Sequence, residues 1–122
     1  MENNIKDKSF AFAVRIVNLC KFLQNQKREY LISKQLMRSG TSIGANVREA
    51  QNAESKLDFI HKLGISQKEA DETCYWIELL NATDYLTQSE FDSIYKDSLE
   101  LIKIIRTIII RTKKNLTENK SI

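Results

Sequence analysis

The chain has no proline and only three glycines, Gly40, Gly44 and Gly64, in 122 residues. Sheet-rich folds of this size need many turns, and turns draw on glycine and proline. Their scarcity argues against a β-sandwich or an α/β fold and for a few long helices joined by short polar turns. No stretch of ~18 uncharged apolar residues occurs, so no transmembrane helix is expected. The first ten residues, MENNIKDKSF, lack the apolar core and cleavage site of a signal peptide, which points to the cytoplasm. The two cysteines, Cys20 and Cys74, lie outside any CxxC pattern. They read as small buried hydrophobes in a reducing compartment, and nothing local supports a disulfide.

The single histidine, His61, excludes much chemistry. Asp58 and His61 have the i, i+3 spacing of di-iron carboxylate bundles, but those sites need a second such pair. Structural zinc needs four Cys or His ligands at suitable spacing. No nucleophile or oxyanion hole is placed beside His61. The Gly40–Gly44 stretch, GTSIG, lacks the lysine and preceding strand of a phosphate loop. No enzyme activity, cofactor or metal ion is expected.

The composition that is present, 42% hydrophobic and 29% charged, suits one compact core. The expected fold class is all-α, an antiparallel up-down-up-down four-helix bundle in a single domain spanning 1–122. Hydrophobic periodicity places helices at about 7–25, 28–52, 55–85 and 88–114, followed by a polar, frayed tail at 115–122. Asp7 is a plausible N-cap for the first helix, with Phe10, Phe12, Val14 and Ile16 in its apolar set. The second carries a core seam of Ile32, Leu36, Gly40, Ile43, Val47 and Ala50. Each of the two glycines here costs about 1 kcal/mol of helix propensity relative to alanine. A helix that accepts this twice gains close approach to a neighbour; the rival reading is a break near 38–41. The fourth seam is Phe91, Ile94, Ser98, Leu101, Ile105 and Ile108. Patterns resembling capping boxes occur at Ser55–Asp58 and Thr87–Glu90.

A second stripe runs along two of the helices. Arg38, Ser42, Asn46 and Glu49 share a face of the second helix. Glu69, Glu72 and Trp76 share one on the third, between Ile65 and Leu79. Carboxylates among apolar neighbours need partners. Arg38 is the natural one, with Ser42 and Asn46 as expected donors of further hydrogen bonds. From 99 to 110, eight of twelve residues are Leu or Ile, more than one amphipathic stripe uses. The surplus should drive self-association, with Ile104 and Ile109 as residues to test.

Charge is unevenly spread. Residues 1–50 sum to +5, 54–84 to −4, 85–102 to −3 and 103–122 to +5. The basic ends supply candidate nucleic-acid contacts: Lys21, Lys27, Arg28 and Lys34 around the first turn, and Arg106, Arg111, Lys113 and Lys114 near the C-terminus. The rival reading is attraction between helices of opposite charge.

Residues 35–50, QLMRSGTSIGANVREA, together with ESKLDFIHKL at 54–63, KEA at 68–70 and ETCYWI at 72–77, resemble the bacterial four-helix-bundle family encoded in intervening sequences of 23S rRNA genes. Gly40 stands where many relatives have alanine. The resemblance covers roughly residues 8–112 and implies an antiparallel bundle assembling into a homopentamer. It also implies a likeness to accessory proteins of diversity-generating retroelements, which work with a reverse transcriptase and nucleic acid. On this resemblance, Arg38, Ser42, Asn46, Glu49, Glu69, Glu72 and Trp76 are structural or assembly residues. A pentameric ring would repeat each basic cluster around its rim and so bind RNA or DNA by multivalency. The alternative is a protein–protein scaffold with no nucleic-acid role.

Overall fold

The computed structural model describes residues 2–121, and side chains over 4–118. Four helices follow one another: α1 (Glu2–Lys27), α2 (Leu31–Gln51), α3 (Lys56–Ala82) and α4 (Gln88–Ser121). Each packs on its sequence neighbour, α4 closes back on α1, and the backbones of the diagonal pairs stay apart among the described residues. Every contact pair is antiparallel. Residue pairs Ser9/Gly44 and Ile16/Gly40 run in opposite order along α1 and α2. So do Ser39/Thr73 and Ile43/Ser66 on α2 and α3. Cys74/Ser98 and Asp71/Arg106 do so on α3 and α4. Lys8/Glu100 and Arg15/Asp97 close the ring. This is the up-down-up-down bundle that the short turns require.

Local chemistry sets the helix ends. At the start of α4 the capping box is complete: the Glu90 N–H donates to Thr87 Oγ1 at 3.1 Å and the Thr87 N–H to Glu90 Oε1 at 2.8 Å. At α3 the Asp58 N–H donates to Ser55 Oγ at 3.0 Å, while Asp58 reaches back to the Glu54 N–H, one residue further than a box would. The α3 C-terminus closes at Ala82 rather than 85 because Asp84 turns left-handed, φ 66°. The Tyr85 N–H then donates to the Leu80 carbonyl and the Asp84 N–H to that of Asn81, a Schellman closure.

The first turn departs most from expectation. Arg28 adopts φ 56°, so α2 cannot begin at 28. Glu29 is buried and its carboxylate accepts from the N–H groups of Leu31, Ile32 and Ser33 at 3.1, 2.9 and 2.7 Å. Three orphan donors of α2 are satisfied by one side chain. Two other boundaries also move. The first helix starts at Glu2, leaving Asp7 inside it rather than capping it, and α4 continues through Ser121 where a frayed tail was expected.

The second helix is continuous through both glycines. A Cβ on Gly44 would sit 3.3 Å from the Ser9 carbonyl oxygen of α1. The glycines let α1 and α2 approach closely, as their cost in propensity suggests.

The core contains the expected seams of α2 and α4, joined by Leu63, Ala70, Cys74 and Ile77 of α3. Cys20 and Cys74 are both buried and free. Two apolar expectations change. Phe10 and Val14 belong to the apolar set expected of α1, yet Phe10 is 62% exposed and Val14 46%. On α4, the apolar surplus is largely absorbed within the bundle: Leu101, Ile102, Ile105, Ile108 and Ile109 are all buried, and Ile104 packs against the core. Two neighbouring helices, α3 and α1, together cover a broader face of α4 than one stripe. Leu99 and Ile110 are left outside.

Candidate functional site

The α2–α3 groove gathers the polar seam. Helical spacing puts Arg38, Ser42, Asn46 and Glu49 on the side of α2 that meets α3. The Arg38 guanidinium lies between two carboxylates, donating to Glu69 at 3.2 and 3.3 Å and to Glu72. The Trp76 indole N–H donates to the same Glu72 oxygen at 3.0 Å. That bond, and Arg38 with it, hold Glu72 below the ordinary carboxylate range, against a burial effect that pulls upward. The hydrogen bond to Glu72 in turn raises Arg38 above its usual value. One turn beyond Asn46, Glu49 binds Lys62 at 3.0 Å.

Ser42 and Asn46 do not serve the carboxylates. The Ser42 hydroxyl donates to its own helix at the Arg38 carbonyl, 2.5 Å, and the Asn46 amide to the Ser42 carbonyl, 2.8 Å. Short polar side chains in a helix reach the preceding turn more readily than a partner across a groove. The seam is a surface ion-pair network along the α2–α3 contact, with Arg38 half exposed. No cluster of three or more His, Cys, Asp or Glu side chains placed to hold a metal occurs among the described residues. His61 is exposed on α3.

The cationic candidates fall at the two poles. Lys21, Lys27, Arg28 and Lys34 surround the α1–α2 turn, all exposed. None has a carboxylate within 4.0 Å among the described residues. The Lys27 ammonium lies 5.9 Å from the centre of the Phe22 ring. Arg106, Arg111, Lys113 and Lys114 lie exposed along α4 towards the opposite pole, where Thr112 and Asn115 border the α2–α3 turn. Arg106 sits 3.9 Å from Asp71. The structure does not merge the two clusters into one groove.

Sequence reasoning leaves Lys6 and Arg48 out of the candidate contacts and counts Phe10 in the apolar set of the first helix. These line a shallow groove of about 350 Å³ between α1 and α2, with Ala13, Thr41 and Gly44 as its floor. The signal was available: Lys34, Thr41 and Arg48 recur every seven residues, which is one helix face.

The sequence pattern of a family described as 23S rRNA-intervening sequence protein matches residues 1–107. The chain is also similar to a crystal structure of a protein of unknown function from the S23 ribosomal protein family of Bacteroides thetaiotaomicron VPI-5482. The two share 57% identity over 88% of this chain and 96% of that one, with a TM-score of 0.88. Among curated proteins, none matches the chain. No described helix is long and apolar enough to cross a membrane.

Proposed function

We propose that this chain, which belongs to the 23S rRNA-intervening sequence protein family, is a non-enzymatic homo-oligomer that binds RNA or DNA through clustered cations. The observation that carries the reading is the set of exposed Lys21, Lys27, Arg28 and Lys34 around one turn, without carboxylate partners among the described residues. A cluster of this kind neutralises phosphates when salt is low. The self-association half is supported by apolar side chains left outside the subunit, including Leu31, Leu57, Leu99 and Ile110.

Fluorescence polarisation of labelled structured RNA across a salt series tests the first half. Binding that weakens steeply with salt is expected; no binding at low salt overturns it. Light scattering tests the second. A mass several times 14.2 kDa is expected, and a monodisperse monomer overturns it. Leu99→Asp and Ile110→Asp are the informative variants, because Ile109 is buried within the subunit and Ile104 packs on its core, so a charge at either would disturb folding as well.

A further inference from the structure

We infer that the outer face of the α1–α2 hairpin is a docking track for single-stranded nucleic acid, an assignment that rests on the function proposed above and locates it.

Charge is the first ground. Residues 8–48 hold eight Lys or Arg and a single acid, Glu29. Glu29 is buried, and its carboxylate is consumed by three backbone N–H groups of α2. Its negative charge therefore faces the positive end of a helix rather than the outer surface. Of the eight cations, Lys8, Arg15 and Arg38 have carboxylate partners on α3 or α4. The other five do not, among the described residues. Among the described residues, the acids that border the face are Glu49, already bound to Lys62, and Asp7 near the start of α1.

Shape is the second ground. Lys6, Phe10, Thr41 and Arg48 line the groove between the two helices, together with Glu49, whose carboxylate is paired with Lys62. Lys34 continues the Thr41–Arg48 row two turns down, and Lys21 continues the Phe10 row three turns on. Lys34 and Arg48 are 14 residues apart, about 21 Å along the helix. Cations thus flank an apolar strip at both ends, over the length of several nucleotides.

The third ground is aromatic. Phe10 is 62% exposed in the groove, and Tyr30 is 53% exposed at the N-terminal end of α2. Exposed rings between cations stack on unpaired bases, whereas paired bases in a duplex offer no free face. Nothing on this strip distinguishes ribose from deoxyribose.

The test is fluorescence anisotropy with labelled 12-mers of oligo-uridine, oligo-thymidine and a matched duplex, using the full chain. Both single strands should bind alike and the duplex more weakly. Lys34→Glu and Arg48→Glu should each weaken single-strand binding about tenfold and lower the salt slope by about one. Phe10→Ala should weaken it about tenfold with little change in slope. Lys96→Glu, a charge reversal on α4 far from the track, should leave it unchanged. Circular dichroism checks that each variant folds; Phe10 and Arg48 are exposed, so neither is needed for the core. If wild type binds no oligonucleotide, the proposed function falls with the track. Should the α1–α2 variants bind normally while Lys113→Glu with Lys114→Glu abolishes binding, the function stands and the track is overturned. A fall in light-scattering mass for Phe10→Ala, with binding intact, makes the strip a contact between copies and also overturns it.

Discussion

Ile16 closes on Gly40 so tightly that a methyl group at position 40 would lie 2.8 Å from both γ carbons of Ile16. Ile16 is fully buried and branched at Cβ, so it cannot rotate away without meeting other core atoms. An alanine at position 40 does not fit while Ile16 keeps this position. Gly40→Ala should therefore destabilise the protein by about 1–3 kcal/mol, because overpacking outweighs the gain in helix propensity. A cycle with Ile16→Ala should show strong coupling. Gly64 is the contrast, since a Cβ there meets nothing within 4 Å. Gly64→Ala should stabilise by about 1 kcal/mol. Urea melts of the two variants should move in opposite directions.

Glu29 caps three N–H groups at once. Glu29→Ala should cost about 1–2 kcal/mol, in the upper range of cap deletions, because the site is buried and those donors lose their acceptor. Glu29→Asp should recover little, since the shorter arm cannot span from position 29 to the N–H of Ser33. Thermal melts followed at 222 nm would measure both.

The Trp76 and Arg38 contacts lower the Glu72 pKa in the fold. A depressed carboxylate stabilises the native state above its unfolded pKa, near 4.5, and loses that contribution as pH falls through the lower folded value. The Tm gap between wild type and Glu72→Gln should thus be present at pH 7 and shrink below about pH 4.5. Its size should be small and should fall with salt, because the pair is open to solvent. A gap that widens in acid would contradict the assignment.

Burial, assisted by the nearby Glu29 carboxylate, pushes the Cys20 thiol up to about 12. Burial also raises Cys74. Since the thiolate is the reactive form, neither cysteine should be alkylated by iodoacetamide at pH 8 in the folded protein, and both should react in urea. Mass spectrometry of the labelled chain would count the adducts. Rapid native labelling of Cys20 would place it elsewhere than the α1–α2 core.

Much of the interaction pattern follows from spacing alone. Pairing of Arg38 with Glu69 and Glu72 follows from two stripes whose periods match and whose helices must lie side by side. The roles of Ser42 and Asn46 do not, because a short side chain chooses between its own helix and the next by fractions of an ångström. Likewise, the cations around the first turn are visible as a charge excess. That Glu29 is withdrawn from among them depends on a left-handed residue at Arg28, and arginine carries no signal for that conformation.

The near absence of proline and glycine, the 3.6-residue seams and the capping pattern at Thr87–Glu90 determined four helices and their antiparallel order, since these are properties of each segment and of short turns. Which apolar residues beyond the seams are covered was decided only by the assembled bundle. Periodicity tells which way a helix face points but not how wide an arc its neighbours cover. For that reason Ile102 and Ile109 are inside, while Phe10 and Ile110, equally oily in the sequence, face outward.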